Sequence, residues 1–243
     1  RSPDVLVTPL ASIAGPETVC ATQQAHLIAA GGTSYIWSTG ETTAEVDVLG
    51  PGTYSVIVSD VCGNDESTIT VLPGEALQPA FTAAGTEGCA PQCATFQAQD
   101  LGEVDYAWTF SDGGMATGIS VGHCFPAGDH DAALTVTPLG YDPRCPATVA
   151  QPTIVHAWPV PEARFSIEPG TVTIEEPTVH FQNNSIGAAV ALALRRVNDS
   201  TSTERSPVVR YDAVDCYTIA LEATSDQGCT ALATNELCVE EPF

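Results

Sequence analysis

The sequence predicts an all-β protein built from β-sandwich domains in tandem. Short apolar runs rich in Val, Thr and Ala alternate with Gly- and Pro-containing turns throughout the 243 residues, and stretches with helical periodicity are scarce. Strand and turn spacing of this kind is typical of sandwiches. The chain is also too long for one small sandwich and fits two or three domains of about 80 to 100 residues. We therefore expect three domains, at 1–75, 76–159 and 160–243, with residues 1–9 compatible with the end of a preceding domain.

The clearest strand of the first domain is predicted at 53–60. Tyr54, Val56 and Val58 alternate there with polar Ser55 and Ser59, which gives the strand one buried face, with Ile57 as the exception on the other face. Further strands are expected at 18–30, 34–38, 44–48 and 67–71. In the second domain they are expected at 94–97, 106–110, 120–125 and 132–138. In the third they are expected at 164–167, 178–182, 190–195, 208–211, 217–224 and 232–240.

The joints between the domains are short and contain proline, as in the run at 158–161, Trp-Pro-Val-Pro. Proline-containing linkers are stiff. A strand of about eight residues rises about 26 Å, so three sandwiches placed end to end predict a rod on the order of 100 Å.

The charge excludes some classes of partner. Thirty Asp and Glu residues face seven basic ones, all of them Arg, for a net charge of −23. A nucleic acid or an anionic membrane surface needs cationic residues, so neither is an expected partner. No apolar run reaches the ~20 residues of a membrane-spanning helix, so we expect no direct membrane insertion.

The nine cysteines indicate an oxidising compartment. They are scattered and contain no Cys-x-x-Cys pair, which argues against zinc or iron–sulfur binding and for disulfides. The expected location is extracellular or at the cell surface. The sequence opens without a signal peptide, so we expect a processed chain or a part of a longer one.

Three runs resemble known repeat families. Residues 31–43 read GGTSYIWSTGETT and are followed by GTYSV at 52–56 and Cys62-Gly63. This closely resembles the immunoglobulin-like repeats of secreted Bacteroidota proteins. The run YAWTFSDG at 106–113, with His123 after it, resembles a PKD domain. The third domain resembles a degenerate PKD copy, with VHFQNNS at 179–185 and Gly228-Cys229. The resemblance implies tandem immunoglobulin-like (PKD-like) sandwiches of a surface protein of the type IX secretion or gliding-motility class.

An immunoglobulin-like core has a Trp beside an inter-sheet disulfide, so Trp37 implies a Cys20–Cys62 bridge. The other expected pairs are Cys89–Cys145, Cys93–Cys124 and Cys216–Cys238, the last about the turn at 226–228. Cys229 is then free and available for intermolecular pairing. Nine cysteines allow many other connectivities.

We expect no catalytic residues, because the five His residues are scattered and no nucleophile elbow or His-Glu-x-x-His motif occurs. The only local cluster of metal-binding residue types is His123, Asp129, His130 and Asp131. No cofactor is expected except Ca²⁺, for which Asp60, Asp65, Glu66 and Asp112 are weak candidates in turns that lack EF-hand spacing. Ser200, in Asp199-Ser200-Thr201, resembles a Bacteroidota O-glycosylation site.

The function expected from these observations is a non-catalytic structural or adhesive segment, a stalk or array of repeats in a bacterial cell-surface protein. Its partners would be other domains of the same protein or neighbouring subunits. Two alternatives stay open. One is an accessory substrate- or carbohydrate-binding region of a secreted hydrolase, with glycans as ligands. The other is a subunit of an extracellular fibre whose edge strands make the contacts.

Overall fold

The chain forms β strands and turns throughout the part that the structure, a computed structural model, describes: residues 8–140, 144–187, 193–196, 201–202 and 204–242. The predicted all-β class is confirmed. None of the described residues forms an α-helix, so no helix among them could cross a membrane.

The strands fall into three units, which we number 1 to 3. Unit 1 contains β1 Ser12–Ala14, β2 Thr18–Val19, β3 Gln24–Ala30, β4 Ser34–Trp37, β5 Glu45–Leu49, β6 Gly52–Asp60 and β7 Gly63–Pro73. Unit 2 contains β8 Phe81–Ala84, β9 Glu87–Cys89, β10 Gln92–Ala98, β11 Val104–Phe110, β12 Met115–Thr117, β13 Ser120–Phe125, β14 Gly128–Pro138 and β15 Ala147–Trp158. Unit 3 contains β16 Phe165–Glu168, β17 Val172–Thr173, β18 Thr178–Asn183, β19 Ala193–Arg196, β20 Thr201–Ser202, β21 Val208–Arg210, β22 Cys216–Thr224 and β23 Thr230–Glu240.

The three units share one strand topology, except that the second sheet of units 2 and 3 has one additional edge strand. One sheet has three antiparallel strands, in the orders β1-β3-β5, β8-β10-β13 and β16-β18-β21. The other has the orders β2-β7-β6-β4, β9-β15-β14-β11-β12 and β17-β23-β22-β19-β20. In every unit the short second strand leaves the first sheet and pairs in parallel with the last strand. This is the layout of an immunoglobulin-like sandwich, in which two Greek-key sheets enclose one core.

Each unit has its own buried core. Alternation builds it: Ala25, Leu27 and Ala29 of β3 are buried while the residues between them are exposed. Trp37 and Trp108 lie on corresponding strands and are 2% and 1% exposed. Each indole N–H donates to a backbone carbonyl, of Thr43 at 2.8 Å and of Gly118 at 2.9 Å, so no polar atom of either indole is left unpaired.

The strand β15, which contains Pro152, was not predicted. The structure accommodates Pro152 at an irregularity in the β14–β15 ladder, where the register shifts between His130 and Ala132. Thr153 adopts a positive φ of 47° there, and its N–H donates to the carboxylate of Asp131 at 2.7 Å. Proline is tolerated at such bulges because no ladder hydrogen bond needs its nitrogen.

Each unit has two distinct ends. The head end holds the closing turn, which we define as the turn between the last two strands. In unit 1 a Cβ on Gly63, after that turn, would lie 3.8 Å from Thr8 Cγ2, so the chain enters beside it. The tail end is where the last strand leaves, beside the end of the short second strand, as Val19 lies beside Pro73.

Candidate functional site: two disulfide-bonded joints

The first joint joins the tail end of unit 1 to the head end of unit 2 through a disulfide. Cys20 follows β2 directly, is 6% exposed, and is bonded to Cys145 with a Cα–Cα distance of 5.6 Å. Cys145 lies in the closing turn of unit 2, two residues before β15. A covalent bond therefore spans the boundary between two sandwiches.

The linker between units 1 and 2 is itself held against the same cysteine. The N–H of Cys145 donates to the carbonyl of Glu75 at 2.7 Å, and the N–H of Leu77 donates to the carbonyl of Cys145 at 2.9 Å. On the other side the N–H of Gly74 donates to the carbonyl of Val19 at 3.0 Å. Leu77 is 4% exposed and belongs to the core of unit 2. These contacts hold residues 74–77 of the linker in place, which suits a stiff joint.

The second joint joins unit 2 to unit 3 in the same way. Cys89 is the last residue of β9 and lies opposite Trp158, the last residue of β15. It is bonded to Cys229 with a Cα–Cα distance of 5.5 Å. Cys229 is 1% exposed in the closing turn of unit 3, directly before β23, where it exchanges two hydrogen bonds with Ser225.

The two inter-unit disulfides are structurally equivalent. Cys20 and Cys89 both lie at the end of a short second strand, at the tail end of their units. Cys145 and Cys229 both lie in a closing turn, one or two residues before the last strand, at the head end of theirs. At both joints, therefore, the disulfide links the tail end of one unit to the head end of the next.

Two predicted disulfides are wrong, because both would have to span the length of a sandwich. Cys20 is at the tail end of unit 1 and Cys62 is at its head end, with the nine residues of β6 between the two ends, about 30 Å. Cys89 and Cys145 lie at opposite ends of the twelve-residue β15, about 40 Å apart. A disulfide needs Cα atoms within about 7 Å.

The other two expected disulfides are present. Cys93 and Cys124 are direct register partners of β10 and β13, and Cys216 and Cys238 are direct partners of β22 and β23. Cys93 and Cys216 are exposed, on the faces of their strands that point away from the core. The free cysteine is Cys62, half-buried in the closing turn of unit 1, and the expectation of a free Cys229 is wrong.

A second polar cluster lies at one end of unit 2, around Asp112 and His123. The Nε2–H of His123 donates to Asp112 Oδ2 at 2.8 Å, and the N–H of Gly114 donates to Asp112 Oδ1 at 3.0 Å. The imidazole stacks on Phe110 with ring centres 4.3 Å apart. A Cβ on Gly114 would collide with that ring. The absence of a side chain at Gly114 therefore lets the His–Asp pair form.

The carboxyl of Asp112 is tuned by these neighbours. Its partial burial by itself raises the pKa. The hydrogen bonds from Gly114 and His123 and the charges of His123 and His130 outweigh that effect, so the pKa of Asp112 lies below its ordinary value. The lowered pKa favours the ionised form of the Asp112 carboxyl.

His130 of the same unit is buried and has a hydrogen-bond partner at each ring nitrogen. Its Nε2–H donates to the carbonyl of Pro126 at 2.9 Å, and its Nδ1 lies at hydrogen-bond distance, 3.3 Å, from the hydroxyl oxygen of Ser111. The Ser111 oxygen in turn accepts the N–H of Asp131 at 3.0 Å.

The remaining predicted site residues do not converge. Asp60 Oδ1 accepts the N–H of Cys62 at 2.6 Å, and Asp65 Oδ2 accepts the N–H of Ala11 at 2.9 Å. Within the described part of the chain, the only three His, Cys, Asp or Glu ligand atoms within 4.8 Å of one another belong to Cys216, Glu236 and Cys238, and both cysteines are disulfide-bonded. Calcium binding at Asp60, Asp65, Glu66 or Asp112 stays a prediction. Ser200 lies outside the described residues.

Sequence reasoning missed the joints because it sought each disulfide inside one domain. A usable signal was present nonetheless. Cysteines recur directly before the last strand of each sandwich, at Cys62 and Cys229 and, one residue further away, at Cys145. They recur again at the end of the short second strand, at Cys20 and Cys89. Aligning the units on their strands would have revealed both series.

Comparison with known proteins returns similarity of structure only. No protein-family model matches the chain, and no curated protein matches its sequence. A solved structure of a 1.5-MDa bacterial ice-binding adhesin is 10% identical with a TM-score of 0.35, covering 96% of this chain and 99% of that one. A Ca²⁺-stabilised adhesin of an Antarctic bacterium is 10% identical with a TM-score of 0.41, covering 97% and 74%. Titin domains are 7% identical with a TM-score of 0.32, covering 98% and 99%. Values this low carry no information about ligand or activity.

Proposed function

We propose that this chain is a non-catalytic structural segment of an extracellular bacterial surface protein, a stalk whose immunoglobulin-like units are covalently joined at every boundary between them. The observation that carries the proposal is the equivalence of Cys20–Cys145 and Cys89–Cys229. A disulfide at one joint could be an isolated feature. The same disulfide at both joints, in the same place, indicates that the relative placement of neighbouring units is what the sequence specifies.

The stiffness of these joints supports a mechanical role. Tandem domains on ordinary linkers reorient freely, and relative motion is the default between domains that share a small interface. Here the linker of the first joint is hydrogen-bonded on both sides and crossed by a disulfide. A stalk that holds an adhesive or sorting domain away from a surface needs such resistance to bending.

The same disulfides support an extracellular location. Four disulfides form and persist in an oxidising exterior and are rare in a reducing cytosol. The resemblance of residues 31–43 and 106–113 to repeats of secreted Bacteroidota proteins supports a bacterial cell surface, and a type IX secretion or gliding-motility context in particular.

Small-angle X-ray scattering tests the stalk directly. In a Cys62→Ser background, the oxidised chain is expected to give an extended profile with a maximum dimension on the order of 100 Å. The double variant Cys20→Ser/Cys145→Ser should broaden the distribution of inter-unit distances and reduce the mean dimension, because the first joint is then held by its linker alone.

The matched control is the double variant Cys93→Ser/Cys124→Ser, which removes a disulfide within unit 2 and should leave the inter-unit distances unchanged. A compact profile for the oxidised chain would contradict the proposal. So would a Cys20→Ser/Cys145→Ser profile that cannot be distinguished from that of the oxidised chain.

Glycan binding and a fibre subunit are the alternatives to this function. The indoles of Trp37 and Trp108, 2% and 1% exposed, belong to cores and offer no stacking surface for sugar rings. Co-sedimentation with insoluble polysaccharides distinguishes the carbohydrate-binding alternative. The stalk predicts that the chain stays in the supernatant, whereas an accessory region of a hydrolase would pellet with its substrate.

A further inference from the structure

Cys62 occupies the position that is disulfide-bonded in both other units. It lies in the closing turn of unit 1, directly before β7, as Cys229 lies directly before β23 and Cys145 two residues before β15. Cys145 and Cys229 are each bonded to the tail-end cysteine of the unit before them. Cys62 is the one cysteine without a disulfide, and the position it fills makes an inter-unit disulfide wherever a preceding unit is present.

The surroundings of Cys62 repeat those of the first joint. The linker before unit 2 passes beside Cys145 and hydrogen-bonds to it on both sides. The segment before unit 1 likewise passes beside the closing turn: Thr8 is adjacent to Gly63, and the N–H of Ala11 donates to Asp65 Oδ2 at 2.9 Å. A unit connected through this segment would therefore emerge at the closing turn that holds Cys62.

The head end of unit 1 also presents apolar side chains to solvent. Val61, next to Cys62 in the closing turn, is 96% exposed, and Leu10 of the leading segment is 80% exposed. Apolar side chains at the tip of a turn gain free energy when a neighbouring surface covers them.

We propose that Cys62 is half of a further inter-unit disulfide, whose other half is a cysteine at the end of the short second strand of an immunoglobulin-like unit preceding unit 1 on the same polypeptide. This inference rests on the proposed function, in which neighbouring units are joined by disulfides. A second copy of the chain is a poor source of that cysteine. Its own tail-end cysteines, Cys20 and Cys89, are already bonded, and the corresponding end of β17 in unit 3 carries Thr173 and Ile174.

The chemistry of the bond is ordinary thiol–disulfide exchange. Two thiols become one disulfide with the loss of two protons and two electrons. A disulfide of the thiol-oxidoreductase class accepts the electrons: the Cys62 thiolate attacks it to form a mixed disulfide, the second thiolate displaces the carrier, and the carrier leaves as a dithiol. The half-buried setting of Cys62 leaves its sulfur reachable in the absence of the preceding unit.

The test uses the complete natural polypeptide, isolated with its free thiols blocked by iodoacetamide and never reduced. Digestion with a protease that cleaves before Asp releases residues 60–64, which contain Cys62. Mass spectrometry should find this peptide linked to a peptide from a preceding unit, through the cysteine that ends its short second strand. A carbamidomethylated Cys62 would overturn the proposal, as would a Cys62–Cys62 dimer or a bond to another polypeptide.

A variant separates this outcome from a failure to fold. Cys62→Ser in the complete polypeptide should expose one new titratable thiol, that of the preceding unit, whereas the same substitution in residues 1–243 alone should remove the only titratable thiol. If no new thiol appears in the complete polypeptide, the proposal is wrong. The scattering experiment on residues 1–243 is made in a Cys62→Ser background, so its result is independent of this one.

Discussion

His130 makes in unit 2 the hydrogen bond that Tyr54 makes in unit 1. Each is the third residue of its strand, β14 or β6, and each donates to the main-chain carbonyl four residues earlier, of Pro126 or Gly50, at 2.9 Å. Tyr217 of unit 3 does the same to Ala213 at 3.1 Å. The bond is that of the tyrosine corner of immunoglobulin-like sandwiches, and an imidazole N–H replaces the phenol in one unit of three.

This equivalence predicts that replacing His130 by Ala destabilises unit 2 more than replacing it by Tyr. His130→Ala should destabilise unit 2 by about 1–3 kcal/mol, because it removes a buried imidazole together with its hydrogen bond to the Pro126 carbonyl. His130→Tyr should restore most of that free energy. Hydrogen exchange resolved by unit gives the measurement, with unit 1 as the internal reference. Equal losses in both variants would show that the corner bond is not what stabilises this turn.

The disulfides within single sheets should stabilise their own units only. Closing the loops of Cys93–Cys124 and Cys216–Cys238, with separations of 31 and 22 residues, is worth roughly 3–4 kcal/mol each in the chain-entropy model. We expect Cys216→Ala/Cys238→Ala to lower the free energy of unfolding of unit 3 by up to that amount and to leave unit 2 unchanged. Urea unfolding followed by hydrogen exchange measures it, with Cys62→Ser as the control. A loss spread equally over units 2 and 3 would contradict this local effect.

Unit 2 should lose stability in acid through Asp112. Because the folded-state pKa of Asp112 is depressed, its contribution is fully present above the unfolded-state pKa of about 3.9. That contribution is lost as the pH falls through the lower folded-state value. Asp112→Ala should cost about 1–2 kcal/mol at neutral pH, by removing the hydrogen bonds with His123 and Gly114. The difference from the unsubstituted chain should shrink below pH 4 in unfolding curves measured between pH 2.5 and 7. A difference independent of pH would exclude the ionised pair as its cause.

Chelation should leave the joints intact. The candidate ligands Asp60 and Asp65 each accept a main-chain N–H, and they do not form a three-ligand cluster with Glu66. We therefore expect the melting temperature and the scattering profile to be the same in EDTA and in millimolar Ca²⁺. A profile that loosens in EDTA would establish calcium as a component of the joints, and Asp65→Asn would then identify whether unit 1 holds it.

The sequence predicted those features that depend on a single strand or on neighbouring strands of one sheet. Alternation in β6 and the Trp of β4 and β11 predicted the sandwich and its core, because side-chain period and burial are properties of one strand. Cys93–Cys124 and Cys216–Cys238 were predicted correctly because each pair joins neighbouring strands of one sheet. Cys20–Cys145 and Cys89–Cys229 were not, since their separations of 125 and 140 residues depend on how whole units stack. His130 was considered from the sequence only as a metal-binding residue type, because its corner bond to the Pro126 carbonyl depends on the fold of the turn.

The two inter-unit disulfides have a topological consequence for a damaged chain. The covalent loops 20–145 and 89–229 overlap between residues 89 and 145. A single peptide bond hydrolysed anywhere between Cys20 and Cys229 therefore falls inside at least one loop, and the two fragments stay connected through sulfur. A reductant separates the two fragments by breaking these disulfides. Backbone scission by an extracellular protease would thus leave a molecule of unchanged mass, apart from added water, that comes apart only on a reducing gel.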